Sequence, residues 1–335
     1  MIRLLFLLVF TESFSHATEY IYPIGVVPQS AESKVLFMHQ HADRRTQVFL
    51  WDSITQTYEV SLSSQYNPIG VQLLPNGTGF SFIDDGIIKL KFFNKRSAKI
   101  IEIYEPLYNI AQITWISDTD FLFQAKRSNH YGIYQSDLGG NITSVKTDLY
   151  TDYGYPTLID DTLFYLSKNV ADVYTIAYDH YPVDQKEKVG NVLYVSDHPL
   201  MYLTMLSTNE GYVVEKNGTT TNICFFKLEK EQWKFEKIFA LPDSGHEFFD
   251  NNNVLCEVLR TSLPREHEGR LFLPVARKNV KAMLSYYDRD FGCLVEQFCA
   301  SFFLPPTLKN NCSYSFFGSP ILTQNNIFVG ICFKA

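Results

Sequence analysis

Residues 110–146 read IAQITWISDTDFLFQAKRSNHYGIYQSDLGGNITSVK and divide into four short apolar stretches separated by polar connections. The stretches are residues 110–116, 121–124, 131–135 and 142–146. Gly139 and Gly140, like the Ser-Asp-Thr-Asp run before Phe121, are typical of tight turns between antiparallel strands. The segment therefore predicts a four-stranded antiparallel sheet, with residues 125–130 as the loop between its second and third strands.

The apolar core of the second strand recurs along the chain at spacings of 41 to 49 residues. A repeat of about 40 to 50 residues is typical of four-stranded propeller blades. The sequence predicts an all-β protein, a β-propeller of four-stranded blades. Dividing the chain by roughly 45 residues per blade gives seven blades, and six blades with a C-terminal extension is the alternative. The recurring cores are residues 35–37, 80–82, 121–123, 163–165, 212–214 and 254–256.

The two ends of this β region are predicted from weaker signals. Residues 293–335 match the repeat worst and form either the last blade or an extension. Residues 19–27 are expected to add a strand to the last blade, which would protect edge strands.

The first 17 residues have the layout of a secretory signal peptide. Arg3 precedes a short apolar run, and Ser15 and Ala17 are small residues before the expected cleavage point. Residues 18–335 would then form the mature propeller, secreted or periplasmic. We find no later apolar run long enough to span a membrane, for which about 20 residues are needed.

Composition supports a strand-rich protein and argues against one class of partner. Aromatic residues make up 15% of the chain and charged residues 19%, a mixture that suits half-buried pleated surfaces. The net charge is −7, whereas nucleic-acid binding depends on clustered lysine and arginine. We therefore expect no nucleic-acid partner.

All six cysteines lie in the second half of the chain, and four of them are crowded between residues 293 and 332. In an oxidising compartment this crowding favours one or two local disulfides, whose pairing the sequence does not determine. Cys224 and Cys256 lie in apolar strand patterns and are read as buried small side chains.

The turn Trp115-Ile116-Ser117-Asp118, the strand at 121–123 and the segment 132–140 resemble the repeat of TolB-like propellers, also seen in dipeptidyl-peptidase propeller domains. The resemblance implies ligand binding through the loops and the central channel of a propeller. The extra α/β domain of TolB and the Gly-x-Ser-x-Gly motif of the peptidases are absent from this sequence, so neither specific function follows.

The C-terminal segment is similar to the end of trypsin-like proteases. The similarity rests on Cys299, Cys312, the run 316–322 and the run 328–331. Phe316 and Phe317 stand where that family has its buried aspartate and nucleophilic serine. A phenyl ring cannot act as a nucleophile, so the resemblance implies an inactive relative; a chance hairpin that closes the ring is the better interpretation.

Other polar groups have ordinary structural interpretations. His39, His41 and Asp43 could share a face and bind a metal, but a polar loop is the better interpretation. The pairs Asp84-Asp85 and Asp160-Asp161 are predicted to lie in hairpin turns. We predict no metal, no cofactor and no catalytic residue.

The leading hypothesis is an exported, non-catalytic binding module that presents the loops between second and third strands to another protein. These loops are predicted at 39–45, 126–130, 168–172 and 263–269, and they carry most of the clustered cations and histidines of an acidic chain. The alternatives are a hydrolase or lyase acting on carbohydrate or peptide in the channel, and an inactive protease relative. The candidate binding residues are His41, Arg44, Arg45, Arg127, His130, Lys168, Arg265 and His267.

Overall fold

The computed structural model of the chain consists of β-strands and their connections over the residues it describes. None of those residues forms a helix that could cross a membrane. The residues described are 3–4, 18–28, 30, 34–40, 46–52, 54–55, 57–62, 68–96, 98–101, 107–183, 190–218, 220–241, 265–267, 270–275, 283–288, 293–299, 313–322 and 326–334.

The chain divides into two compact units, residues 68–243 and residues 1–67 with 244–335. The first of these contains four sheets of four antiparallel strands each. Sheet two is β6 (Ile69–Leu73), β7 (Gly79–Asp84), β8 (Ile87–Phe92) and β9 (Lys99–Ile101). Sheet three is β10 (Tyr108–Trp115), β11 (Asp120–Arg127), β12 (His130–Asp137) and β13 (Ile142–Lys146). Sheet four is β14 (Thr151–Ile159), β15 (Thr162–Asn169), β16 (Tyr174–His180) and β17 (Asn191–Ser196). Sheet five is β18 (Leu200–Ser207), β19 (Glu210–Asn217), β20 (Thr220–Glu229) and β21 (Gln232–Leu241).

The other unit contains sheets one and six. Sheet one has seven strands, in which β27 pairs with β1, β2 and β26. Its strands are β1 (Arg3–Leu4), β2 (Thr18–Val26), β3 (Lys34–Gln40), β4 (Thr46–Asp52), β5 (Thr57–Leu62), β26 (Ser313–Leu322) and β27 (Asn326–Lys334). Sheet six is β22 (Arg265–His267), β23 (Arg270–Val275), β24 (Met283–Asp288) and β25 (Cys293–Cys299).

Four of the recurring apolar cores form the second strands of sheets two to five, and the core 35–37 forms an inner strand of sheet one, which confirms the repeat. Five of the six lie in β3, β7, β11, β15 and β19; residues 254–256 lie outside the described residues. In sheet three, Phe121 and Phe123 pack on sheet two, whereas Leu122 packs on sheet four. The core 121–123 is continuously apolar because neighbouring sheets bury both of its faces.

The first strands of sheets two to five each contain a bulge that the sequence did not indicate. At one bulge in each strand the pairing skips two residues, and the first of the two has a positive φ. Further irregularities lie at Asn109 (φ 51) in β10 and between Met205 and Ser207 in β18. The residues of the four bulges that recur from sheet to sheet are Gly70 (φ 59), Gln112 (φ 52), Tyr155 (φ 54) and Tyr202 (φ 55). Only the glycine is suited to this conformation, so the other three positions are held by their surroundings.

Several details of the prediction change. Residues 125–130 are not a loop, because β11 and β12 extend until Arg127 pairs with His130 and leave only Ser128 and Asn129 between them. The C-terminal segment forms the antiparallel pair β26–β27, and β27 pairs with β2 near Tyr20, as expected for the stretch 19–27. The described residues form six sheets, and the count of seven blades stays a prediction.

Candidate functional site

The hairpin end of a sheet is defined here as the end that carries the connection between its second and third strands. The start of the first strand and the end of the fourth strand lie at the same end, because neighbouring strands are antiparallel. Sheets three and four are neighbours that share the apolar cluster around Leu122 and Leu163. Their hairpin ends bring together three of the predicted binding residues, Arg127, His130 and Lys168.

A row of ionisable side chains runs across the two hairpin ends; we call it the charged row, and it consists of Arg127, His130, Asp152, Lys168 and Asp172. Arg127 pairs with His130 in the last pair of the β11–β12 hairpin. His130 Nδ1 lies 3.4 Å from Asp152 Oδ1, on the first strand of sheet four. The same oxygen accepts a hydrogen bond of 2.8 Å from the Tyr131 N–H. Asp152 therefore connects sheet three to sheet four.

The row continues within sheet four. Asp152 pairs with Lys168 on β15, and Lys168 Nζ lies 2.7 Å from Asp172 Oδ1. The hydrogen bond to Asp172 raises the pKa of Lys168 above its ordinary value. The side chains of Lys168 and Asp172 are 38% and 76% exposed, so their ion pair contributes little to stability and remains accessible to solvent.

Aromatic rings hold two lysines of this end against the sheets. Lys126 Nζ lies 4.8 Å from the centroid of the Tyr131 ring, and Lys168 Nζ lies 5.6 Å from that of Tyr174. Such contacts are weak at exposed sites, but they restrict the directions in which the ammonium groups point.

Three exposed apolar side chains, which we call the apolar patch, lie beside the charged row. Leu149 is 73% exposed, Tyr150 67% and Val170 72%. Thr151 pairs with Asn169 at the end of the β14–β15 ladder, so Tyr150 and Val170 flank the last pair. Exposed apolar groups next to charged groups are typical of surfaces that bind a partner.

A second polar cluster, the buried cluster, lies inside the boundary of the same two sheets. Lys146 Nζ is 2.8 Å from Asp179 Oδ2, with side-chain exposures of 5% and 6%. The Tyr165 hydroxyl donates to the same oxygen at 2.9 Å. A Cβ added to Gly190 would lie 2.1 Å from this hydroxyl, so the cluster is closely covered. The cluster joins the two sheets, since Lys146 lies on β13 and Asp179 on β16.

The other five predicted binding residues come from the predicted loops 39–45 and 263–269. His41, Arg44 and Arg45 lie outside the described residues. Arg265 and His267 lie in β22, and His267 pairs with Arg270 on β23. Among the described strands of sheet six, this connection lies between β22 and β23, and its interpretation as a connection between second and third strands stays a prediction. A run of charges is also typical of a short edge strand, and the sequence pattern did not distinguish the two.

The groups that suggested metal binding or chemistry have structural roles where they are described. His39 is fully buried in β3, and His41 and Asp43 lie outside the described residues. Asp85 (φ 50), Gly86 (φ 75) and Asp160 (φ 50) lie in tight turns, as predicted. Within the described ranges, no group of three or more His, Cys, Asp or Glu side chains could hold a metal ion.

Cys224 is unpaired and packs against the apolar cluster of sheets four and five. Burial, and secondarily the charge of Glu215, raises the pKa of its thiol to about 11. This is an unreactive thiol, as expected of a buried small side chain. The predicted disulfides among the other cysteines stay a prediction.

Comparison with solved structures defines the fold class as a β-propeller. The chain is similar to a putative TolB from Agrobacterium tumefaciens, with a TM-score of 0.53 and 11% identity over 96% of this chain and 100% of that one. TolB from Acinetobacter baumannii gives a TM-score of 0.50 and 14% identity over 82% of this chain and 62% of that one. The similarity supports the TolB-like propeller resemblance of the repeats and not the trypsin-like one. It shows the fold alone.

Peptidase structures also match. A puromycin-hydrolysing peptidase from Mycobacterium tuberculosis gives a TM-score of 0.56 and 13% identity over 82% of this chain. This chain spans only 45% of the length of that peptidase and 62% of that of the Acinetobacter TolB. No protein-family model matches the sequence, and no curated protein sequence matches it.

Proposed function

We propose that the chain is an exported, non-catalytic propeller module that binds another protein through the hairpin end of sheets three and four. The observation that carries the proposal is the apolar patch of Leu149, Tyr150 and Val170 lying beside the charged row. Tyrosine and arginine are enriched where protein interfaces gain most of their binding energy, and both are present here. Export is proposed from the signal-peptide layout of residues 1–17.

The absence of catalysis is proposed from the chemistry of the residues. The charged row has no nucleophile poised beside a base, since Asp152 and Asp172 are engaged by neighbouring groups. In the buried cluster the Tyr165 hydroxyl donates to Asp179, and Gly190 covers it. Phe316 and Phe317 occupy the positions at which the protease resemblance would require an acid and a serine.

The proposal is tested by comparing three immobilised proteins exposed to the secreted proteins of the producing cell. The first is the unmodified chain, and the second carries Leu149→Ser, Tyr150→Ser and Val170→Ser. The third is a control in which other exposed apolar side chains are changed, Ile54→Ser, Ile100→Ser and Val192→Ser. We expect one or more polypeptides to be retained by the first and third proteins and lost by the second.

Retention of the same polypeptides by all three proteins would contradict the assignment to this surface. Matching thermal unfolding midpoints are required, since surface changes of this kind normally alter stability by less than about 0.5 kcal/mol. Hydrolysis of a member of a peptide and polysaccharide panel by the unmodified chain would contradict the non-catalytic part.

A further inference from the structure

We infer that Asn76 is an acceptor of an N-linked oligosaccharide, at the end of sheet two opposite to its hairpin end. Residues 76–78 read Asn-Gly-Thr, which is the acceptor motif for this modification in a eukaryotic secretory pathway. The inference rests on the export part of the proposed function, because only chains that enter this pathway are modified. It adds a site of covalent modification to the proposed binding surface.

The motif lies in the tight connection between β6 and β7, at the surface of sheet two. The Gly77 N–H donates to the Leu74 carbonyl at 2.9 Å, and Gly77 has a positive φ of 68°. Thr78 is exposed and Asn76 is half-buried. An oligosaccharide is bulky and polar, so a turn at the surface can carry it where a strand packed between two sheets cannot.

The side-chain amide of Asn76 is held by its oxygen. Oδ1 accepts hydrogen bonds of 3.0 Å from the Thr78 N–H and 2.7 Å from the Thr78 hydroxyl. In the part of the chain that the structure describes, the Asn76 nitrogen donates no hydrogen bond. The nitrogen that would carry the sugar is therefore not engaged, and the hydroxyl that the motif requires lies beside the amide.

The reaction joins Nδ2 of Asn76 to the first sugar of an oligosaccharide that is carried on a polyprenyl diphosphate. The bond between Nδ2 and the anomeric carbon forms, and the bond from that carbon to the diphosphate oxygen breaks. One amide hydrogen leaves as a proton, and the polyprenyl diphosphate is the leaving group. The host's transferase catalyses this step, and the chain supplies the acceptor.

A second motif of the same type, at residues 141–143, is engaged differently. Asn141 Nδ2 donates to Asp137 Oδ2 at 2.7 Å, and the Asn141 N–H donates to Asp137 Oδ1 at 3.0 Å. A sugar on Asn141 would replace a hydrogen of the amide group that binds Asp137. At Asn76 the sugar would replace a hydrogen without a partner, so the folded sheet loses no hydrogen bond. The motifs at 217–219 and 311–313 include residues outside the described ones.

The position of Asn76 separates the modified surface from the proposed binding surface. The β6–β7 connection joins a first to a second strand, so it lies opposite to the hairpin end. Lys99 Nζ, at the start of β9, donates to the Leu138 carbonyl of sheet three at 3.1 Å, so these ends of the two sheets are adjacent. Strands of 6 to 8 residues separate the two ends by roughly 20 to 26 Å.

The test expresses the full chain in insect cells, once with its own residues 1–17 and once with a signal peptide of the host in their place. Thr143→Ala, Thr219→Ala and Ser313→Ala remove the other three motifs. We expect a loss of mass on treatment with a peptide N-glycosidase, which leaves an aspartate at position 76 that peptide mass spectrometry identifies. Adding Thr78→Ala should abolish the mass loss, and Thr78→Ser, which keeps the hydroxyl, should preserve it.

An unmodified Asn76 in the form with the host signal peptide would overturn the inference, and so would a mass loss that persists in the Thr78→Ala variant. Modification only in the form with the host signal peptide would support the acceptor and contradict export through residues 1–17. Secretion of an unmodified chain with its own residues 1–17 would support export and overturn the acceptor. The failure of this inference is therefore distinguishable from the failure of the proposed function.

Discussion

Two polar clusters cross the boundary between sheets three and four, and they differ mainly in exposure. The buried cluster joins Lys146 to Asp179 with side-chain exposures of 5% and 6%. The charged row ends in Lys168 and Asp172 with exposures of 38% and 76%. The Nζ–Oδ distances are nearly the same, 2.8 Å and 2.7 Å, so geometry alone does not separate them.

The difference in exposure assigns different roles to the same kinds of charge. A buried ion pair has lost its water, and removing one partner leaves an uncompensated charge in the interior. An exposed pair exchanges readily with water and contributes little to folding. The buried cluster can therefore specify how the two sheets pack, while the charged row remains available to a partner.

The largest effect is expected when the buried cluster is broken. Asp179→Ala leaves Lys146 and the Tyr165 hydroxyl without their shared acceptor and should lower the free energy of unfolding by about 3 to 5 kcal/mol. Urea denaturation measures the change. The paired replacement Lys146→Met with Asp179→Leu removes both charges and should recover most of the loss; equal losses in the two variants would mean that packing, and not charge, is responsible.

Alkaline pH tests the same cluster through the ionisation of the Tyr165 hydroxyl. Burial, followed by the charge of Asp179, raises the pKa of Tyr165 well above the ordinary value of 10.0. The tyrosine therefore ionises more readily in the unfolded chain. Its contribution to the free energy of unfolding is complete below about pH 10 and is lost as the pH rises towards the pKa of the folded state. The expected loss is about 1.4 kcal/mol per pH unit in that window. Urea unfolding of Tyr165→Phe at increasing pH should show a smaller loss than the unmodified chain, and identical profiles would contradict this account.

An intermediate effect on stability is expected at Asp152, because this member of the charged row also accepts a hydrogen bond from the backbone. Asp152→Ala removes the acceptor of the Tyr131 N–H and should cost about 1 to 2 kcal/mol. Asp152→Asn keeps an acceptor oxygen and should cost less than half as much. Thermal unfolding of the two variants distinguishes a lost hydrogen bond from a lost charge, and equal midpoints would favour the charge.

The smallest effect is expected for the exposed pair. A double-mutant cycle with Lys168→Ala and Asp172→Ala should give a coupling energy below about 0.5 kcal/mol. The same cycle at Lys146 and Asp179 should give several times more. A coupling above about 1.5 kcal/mol at the exposed pair would show that the charged row has a structural role after all.

The repeat could be read from the sequence because its signals are local. The apolar cores mark the second strands, and Asp85-Gly86 and Asp160-Asp161 mark turns, since these residues favour backbone angles that other residues avoid. The bulges at Gln112, Tyr155 and Tyr202 had no such signal. Neighbouring sheets impose their positive φ angles: Gln112 Oε1 accepts the Tyr155 N–H at 2.6 Å, and the Tyr155 ring contacts that of Tyr202.

The candidate site was only partly predictable for the same reason. Arg127, His130 and Lys168 were found because cations cluster between predicted strands. Asp152, Tyr150 and Val170 were missed, because Asp152 reaches the site from the neighbouring sheet and the other two read as ordinary strand or turn residues. Loops 39–45 and 263–269 looked equivalent in sequence, and only the described part of the second can be placed, between β22 and β23 of sheet six.

The sequence by itself determined the strand-rich composition, the four-stranded repeat and most of its tight turns, because these depend on side-chain size, hydrophobicity and backbone preference within a few residues. The tertiary structure decided which charges are buried and which are exposed, and which sheets contribute to one surface. Those properties depend on groups 20 to 40 residues apart, such as His130 with Asp152 and Lys146 with Asp179. They also depend on burial by neighbouring sheets, which a pattern of a few consecutive residues does not indicate.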